Sequence, residues 1–118
     1  MAKLATQRGS VGRQAISKAK EFIESRYASD IGLKDVAEAV YLNPSYFSQI
    51  FKDTTGENFI NYLTRVRVEK AASMLQQSEL KIYEVAKAVG YSDQAYFSRI
   101  FKQLMGVNPI DYRRRLGI

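Results

Sequence analysis

The stretches "YFSQIFK" (residues 46–52) and "YFSRIFK" (residues 96–102) lie fifty positions apart and differ in one letter, Gln49 against Arg99. The match extends outward from both. Upstream, "LKDVAEAVYLNPS" (33–45) parallels "IYEVAKAVGYSDQ" (82–94), sharing Val-Ala-x-Ala-Val. Downstream, Gly56/Gly106, Asn58/Asn108, Ile60/Ile110, Tyr62/Tyr112 and Arg65/Arg115 recur. The chain therefore holds two copies of one unit: short helix, tight turn, longer helix, glycine, next helix.

Within each heptad the apolar letters fall at i, i+3 and i+4, the spacing of one helix face. Phe47, Ile50 and Phe51, and likewise Phe97, Ile100 and Phe101, are expected to point into a core. The opposite face reads Ser45, Ser48, Gln49 and Lys52 in the first copy, and Gln94, Ala95, Ser98, Arg99 and Lys102 in the second. None of these is acidic or large and apolar. Such a surface suits a DNA major groove, where Arg pairs with guanine O6/N7 and Gln with adenine N6/N7. One polar face says little, because every amphipathic helix has one. Two matching faces in a duplicated helix-turn-helix say considerably more.

Local signals mark the helix ends. Asn43-Pro44 and Asn108-Pro109 read as an Asn N-cap followed by Pro in the first turn, where the missing N–H has no partner to lose. The small Ala37 and Ala86 allow a second helix to approach closely. Gly90 stops the second short helix at a point that calls for left-handed backbone, whereas Tyr41 occupies that place in the first copy. Between the copies, "NFINYLTRVRVEKAASMLQQS" (58–78) carries a broad apolar stripe. It predicts one helix of roughly 18 residues, about 27 Å long. With that rod between them, two units can reach major-groove segments about 34 Å apart. Before the first copy, Ile16, Ala19, Phe22, Ile23 and Tyr27 recur at helical spacing and predict a helix of about 12 residues. Residues 1–14 show little periodicity and two glycines, and are expected to be a flexible tail or linker.

The expected organisation is all-α: a tail (1–14), a first helix-turn-helix subdomain (15–57), a connecting helix (58–77) and a second subdomain (78–118). That gives about seven helices in a homeodomain-like arrangement. A chain of 118 residues with 46% apolar and 25% charged residues is globular in composition. It has no Cys and no His, which excludes disulfides, thiolate or imidazole metal sites, and the Ser-His or Cys-His nucleophile. An enzyme is not expected, and no cofactor or metal is implied. No apolar run reaches the roughly 20 residues of a membrane span, and the basic N-terminus lacks the apolar core of a secretory signal. A cytoplasmic protein is expected. The net charge of +6 is unevenly placed, with +3 in residues 1–14 and +3 in residues 79–118. It suggests an anionic partner, nucleic acid or a lipid surface, although a charge this modest often only keeps a protein soluble.

On these residues the chain resembles the DNA-binding domain of the AraC/XylS family of bacterial transcription regulators. The resemblance covers about residues 15–115 and is densest over "IYEVAKAVGYSDQAYFSRIFKQLMGVNPIDYR" (82–113). There Ile82, Val85, Ala86, Val89, Gly90, Tyr91, Asp93, Tyr96, Phe97, Arg99, Phe101, Lys102, Gly106, Pro109, Tyr112 and Arg113 fill the family's signature. The wording is nearest to AraC-type two-component response regulators. The resemblance implies sequence-specific binding of double-stranded promoter DNA, with a receiver or effector domain upstream and RNA polymerase as a partner. Carried over by position, base reading falls on Ser45, Ser48 and Gln49, and on Gln94, Ala95, Ser98 and Arg99. Three places depart from the pattern, all in the first copy: Gly32 where a Ser cap is usual, Tyr41 for the turn glycine and Phe59 for proline. Lys52, Arg65, Arg67, Lys102, Arg113 and Arg114 are candidates for backbone phosphates or, equally, solvated surface charges. Two other readings stay open on the residues alone. One is a helical protein-interaction module, for example with RNA polymerase. The other is a charge-driven binder of RNA or membrane surface.

Overall fold

A computed structural model describes the backbone of residues 2–115 and the side chains of residues 12–115. Seven helices make up the described residues: α1 (Ala2–Arg26), α2 (Leu33–Ala39), α3 (Pro44–Thr55), α4 (Phe59–Gln77), α5 (Ile82–Ala88), α6 (Gln94–Met105) and α7 (Pro109–Arg115). Among them there is no strand, and no helix is long and apolar enough to cross a membrane.

Helices α3 and α7 start at Pro44 and Pro109, as their Asn-Pro signals predict, and α1 differs from the expectation over its first residues. It begins at Ala2 rather than near residue 15. The apolar stripe starts only at Ile16, but the preceding segment is rich in Ala, Leu, Lys, Gln and Arg, which favour helix without any packing. Gly9 and Gly12 are the weak points of that stretch, each costing about 1 kcal/mol against Ala.

The chain forms two compact units, divided differently from the expected subdomains. The first comprises α1 and residues 31–63; the second comprises residues 27–30 and 64–115. Helix α4 is the long central helix and runs unbroken across this division: Phe59 and Leu63 are buried in the first unit, and Val68, Ala71 and Leu75 in the second.

In the first unit α1, α2 and α3 pack on one another. Ile16, Ala19 and Ile23 of α1, Val36 and Ala37 of α2, and Phe47 and Phe51 of α3 are all buried. The Phe51 ring meets Phe47 at 5.4 Å and Tyr62 at 5.1 Å, the latter edge-on, geometries that aromatic pairs favour. The second unit repeats the scheme. Phe97 and Phe101 sit 5.8 Å apart in a core with Val85, Ala86, Val89, Ala71 and Leu75, and Tyr112 meets Phe101 edge-on at 5.4 Å.

The caps follow the sequence closely. Asn43 Oδ1 accepts from the N–H groups of Ser45 and Tyr46, and Asp93 Oδ1 from those of Ala95 and Tyr96. Asn108 Oδ1 accepts from Asp111 N–H at the start of α7. At α2, Gly32 offers no side chain; instead the Asp35 carboxylate accepts from Gly32 N–H at 2.7 Å, and Glu84 does the same for Lys81. Both short helices end in one turn geometry, with Leu42 N–H bonded to Ala37 O and Tyr91 N–H to Ala86 O. That turn needs a left-handed residue, which is Tyr41 (φ +60°) in one unit and Gly90 (φ +105°) in the other.

Candidate nucleic-acid interface

Asn43 and Asp93 fix where α3 and α6 begin, and the buried Phe pairs fix how each is rotated. Once Phe47 and Phe51 are fully buried, the 3.6-residue period turns Ser45, Gln49 and Lys52 outward. All three are exposed, and Ser48 is half-buried beside them. In the second unit Gln94, Ala95, Arg99 and Lys102 are exposed, with Ser98 half-buried. The structure thus brings together on one face of each helix the side chains that the sequence assigned to base reading. Next to Lys52 on α3 lies the exposed Asp53, whose counterpart on α6 is Gln103.

The proposed phosphate ligands separate into two groups. Lys52 and Lys102, in the last turns of α3 and α6, and Arg114, beside Asp111 at 4.0 Å, are exposed. The other three are engaged by their own chain. Arg65 pairs with Glu69 one turn along α4 at 3.0 Å. Arg67 donates from Nε to Tyr27 O at 2.7 Å and from Nη2 to Ser29 O at 2.9 Å, and its guanidinium lies 5.3 Å over the Tyr91 ring. Arg113 donates from Nε to Leu75 O at 3.2 Å and from Nη2 to Ser78 O at 3.3 Å, satisfying carbonyls at the C-terminal end of α4. Arg67 and Arg113 are clamps that hold one piece of backbone to another. Sequence reasoning offered them only as phosphate ligands or solvated charges.

It also passed over Tyr96. The ring is 45% exposed at the edge of the outward face, with Arg99 Cζ 5.8 Å from its centroid. Their i, i+3 spacing on one helix was the available signal.

Two short-helix, turn, long-helix units with matched outward faces define a tandem helix-turn-helix protein. Comparison with known proteins gives the family. A helix-turn-helix domain family model matches residues 36–115. The HTH-type transcriptional regulator YijO of Escherichia coli (strain K12) is 40% identical over 81 residues, 68% of this chain and 29% of that protein. The C-terminal domain of AraT, a response regulator from Geobacillus stearothermophilus, superposes with a TM-score of 0.82 at 42% identity, covering 86% of this chain and 84% of that domain. The DNA-binding domain of AdpA, solved in complex with a target DNA, shares the fold with a TM-score of 0.81 at 21% identity, over 85% of this chain and 90% of that one. The chain belongs to the AraC family of DNA-binding transcription regulators. It spans less than a third of the length of the curated relatives it matches.

Proposed function

We propose that the chain reads promoter DNA for a bacterial transcription regulator, with α3 and α6 entering successive major-groove segments of a site about 20 base pairs long. The observation that carries this reading is the pair of matched faces. The same buried Phe pair underlies both, and each exposes small or bidentate-capable side chains. Arg99 would read a guanine and Gln49 an adenine. Ser45, Ser48, Gln94, Ala95 and Ser98 would shape the fit to neighbouring bases. Lys52, Lys102 and Arg114 would neutralise phosphates and set register. The protein would work in the cytoplasm and without catalysis of its own. Likeness to a response-regulator domain favours a receiver upstream, and transcription activation by such proteins would involve RNA polymerase.

The test is a salt titration with a selected duplex and its scrambled counterpart, repeated with Arg99→Ala. The selected duplex is expected to keep its advantage as salt rises, and Arg99→Ala to lose about 1–3 kcal/mol at one base position. Equal binding of both duplexes that vanishes together with salt would mark a non-specific binder of nucleic acid. A uniform loss on every sequence would make Arg99 a phosphate contact.

A further inference from the structure

We propose that Tyr96, backed by Tyr91, is a positioning residue that sets the sharpness with which Arg99 reads its base. The inference rests on Arg99 reading a base, as proposed above. Four side chains of the second unit form an unbroken series of ring contacts, tilted between the two tyrosines. Arg67 is fixed by the carbonyls of Tyr27 and Ser29, and its Cζ lies 5.3 Å over the Tyr91 ring. Tyr91 meets the fully buried Phe97 at 5.7 Å and Tyr96 at 5.8 Å. Tyr96 in turn carries Arg99 at 5.8 Å. The series starts on hydrogen-bonded backbone and ends on a guanidinium in solvent.

A cation–π contact suits a reader of bases. The attraction of a guanidinium to a ring face uses the ring quadrupole and consumes none of its N–H donors in a hydrogen bond. Those donors stay free for the O6/N7 edge of guanine. An unsupported arginine loses much rotamer freedom when it docks, whereas one already resting on a ring loses less. The first unit lacks the arrangement: Leu42 stands in the place of Tyr91, and Gln49, a neutral amide, in that of Arg99. Tyr46, the counterpart of Tyr96, is an internal control.

Selection of the whole chain on randomised duplexes, followed by sequencing, tests this with Arg99→Ala, Tyr96→Ala, Tyr96→Phe, Tyr46→Ala and the Tyr96→Ala/Arg99→Ala double variant. Tyr96→Ala is expected to flatten, by about two- to fivefold, the preference at the base position that Arg99→Ala also flattens. The double variant should flatten it no further than Arg99→Ala alone. Tyr96→Phe should keep the preference, and Tyr46→Ala should leave that position untouched. A uniform loss for Tyr96→Ala would overturn the proposal, as would equal losses for Tyr96→Phe and Tyr96→Ala, since a hydroxyl contact would then be at work. If Arg99→Ala flattens no position, the base-reading role itself is wrong and the positioning role falls with it. The free wild-type protein supplies a check independent of DNA and of how the variants fold. Its Arg99 side-chain protons should resonate upfield under the Tyr96 ring current, and unshifted resonances would overturn the proposal.

Discussion

Helices α3 and α6 are the same helix underneath and different helices on top. Beneath, each buries two Phe rings and ends on a left-handed glycine, Gly56 at φ +84° and Gly106 at φ +83°. On the surface, α3 carries one base and one acid, Lys52 and Asp53, while α6 carries Arg99 and Lys102 and no acid. The turns leading into them differ as well. Gly90 lies close against its surroundings: an added Cβ would stand 3.1 Å from Ala28 O and 3.2 Å from the Arg67 guanidinium. Tyr41 holds the same left-handed conformation with its side chain 94% exposed, so strain there is not compounded by crowding. Packing constrains the turn that leads into the second unit's outward face. The first unit shares only the parts that turn the helix.

If the scaffold is truly shared, Phe47→Ala and Phe97→Ala should cost alike, about 3–5 kcal/mol each, as measured by chemical denaturation. A clear gap between them would break the equivalence of the two units. The next effect separates clamp from phosphate ligand. Arg67→Ala should lower stability by about 1.5–3 kcal/mol, because two charge-assisted hydrogen bonds to backbone carbonyls are lost. The salt slope of DNA binding should not change, whereas loss of a phosphate contact would reduce it by about one. The smallest effect concerns the turns and has opposite signs in the two units. Gly90→Ala should destabilise by about 1–2 kcal/mol, from left-handed strain as well as crowding. Tyr41→Gly should stabilise by up to about 1 kcal/mol, part of the relief being offset by the freedom of glycine in the unfolded chain. Thermal melts of both variants would show it, and shifts of the same sign would mean that the turns are not equivalent.

Features written in local spacing were legible in the sequence. The Phe-Ile-Phe rows, the Asn-Pro starts and the positions of Gly56, Gly90 and Gly106 fix helices by contacts within a few residues, so the letters suffice. The outward faces followed from the same period. Two things were not legible. The first half of α1 has no apolar stripe to announce it and rests on propensity, a weaker signal. Arg67 and Arg113 bond to carbonyl oxygens 35 to 40 residues away, and a backbone carbonyl has no letter of its own. A basic residue on a helix therefore reads as surface charge until the fold brings an acceptor to it.

The hold of Arg67 on Tyr27 and Ser29 also governs how the chain can be divided. The four residues after α1 belong to the second unit, although the rest of that unit begins only at Thr64. No single cut therefore yields both halves intact. A fragment starting after Leu63 would leave two guanidinium donors facing water where carbonyls had been. During synthesis the same link is made late, since Arg67 follows Tyr27 by 40 residues in the chain. The repeat looks like two beads in the written sequence, but the order of assembly is that of a loop closed from behind.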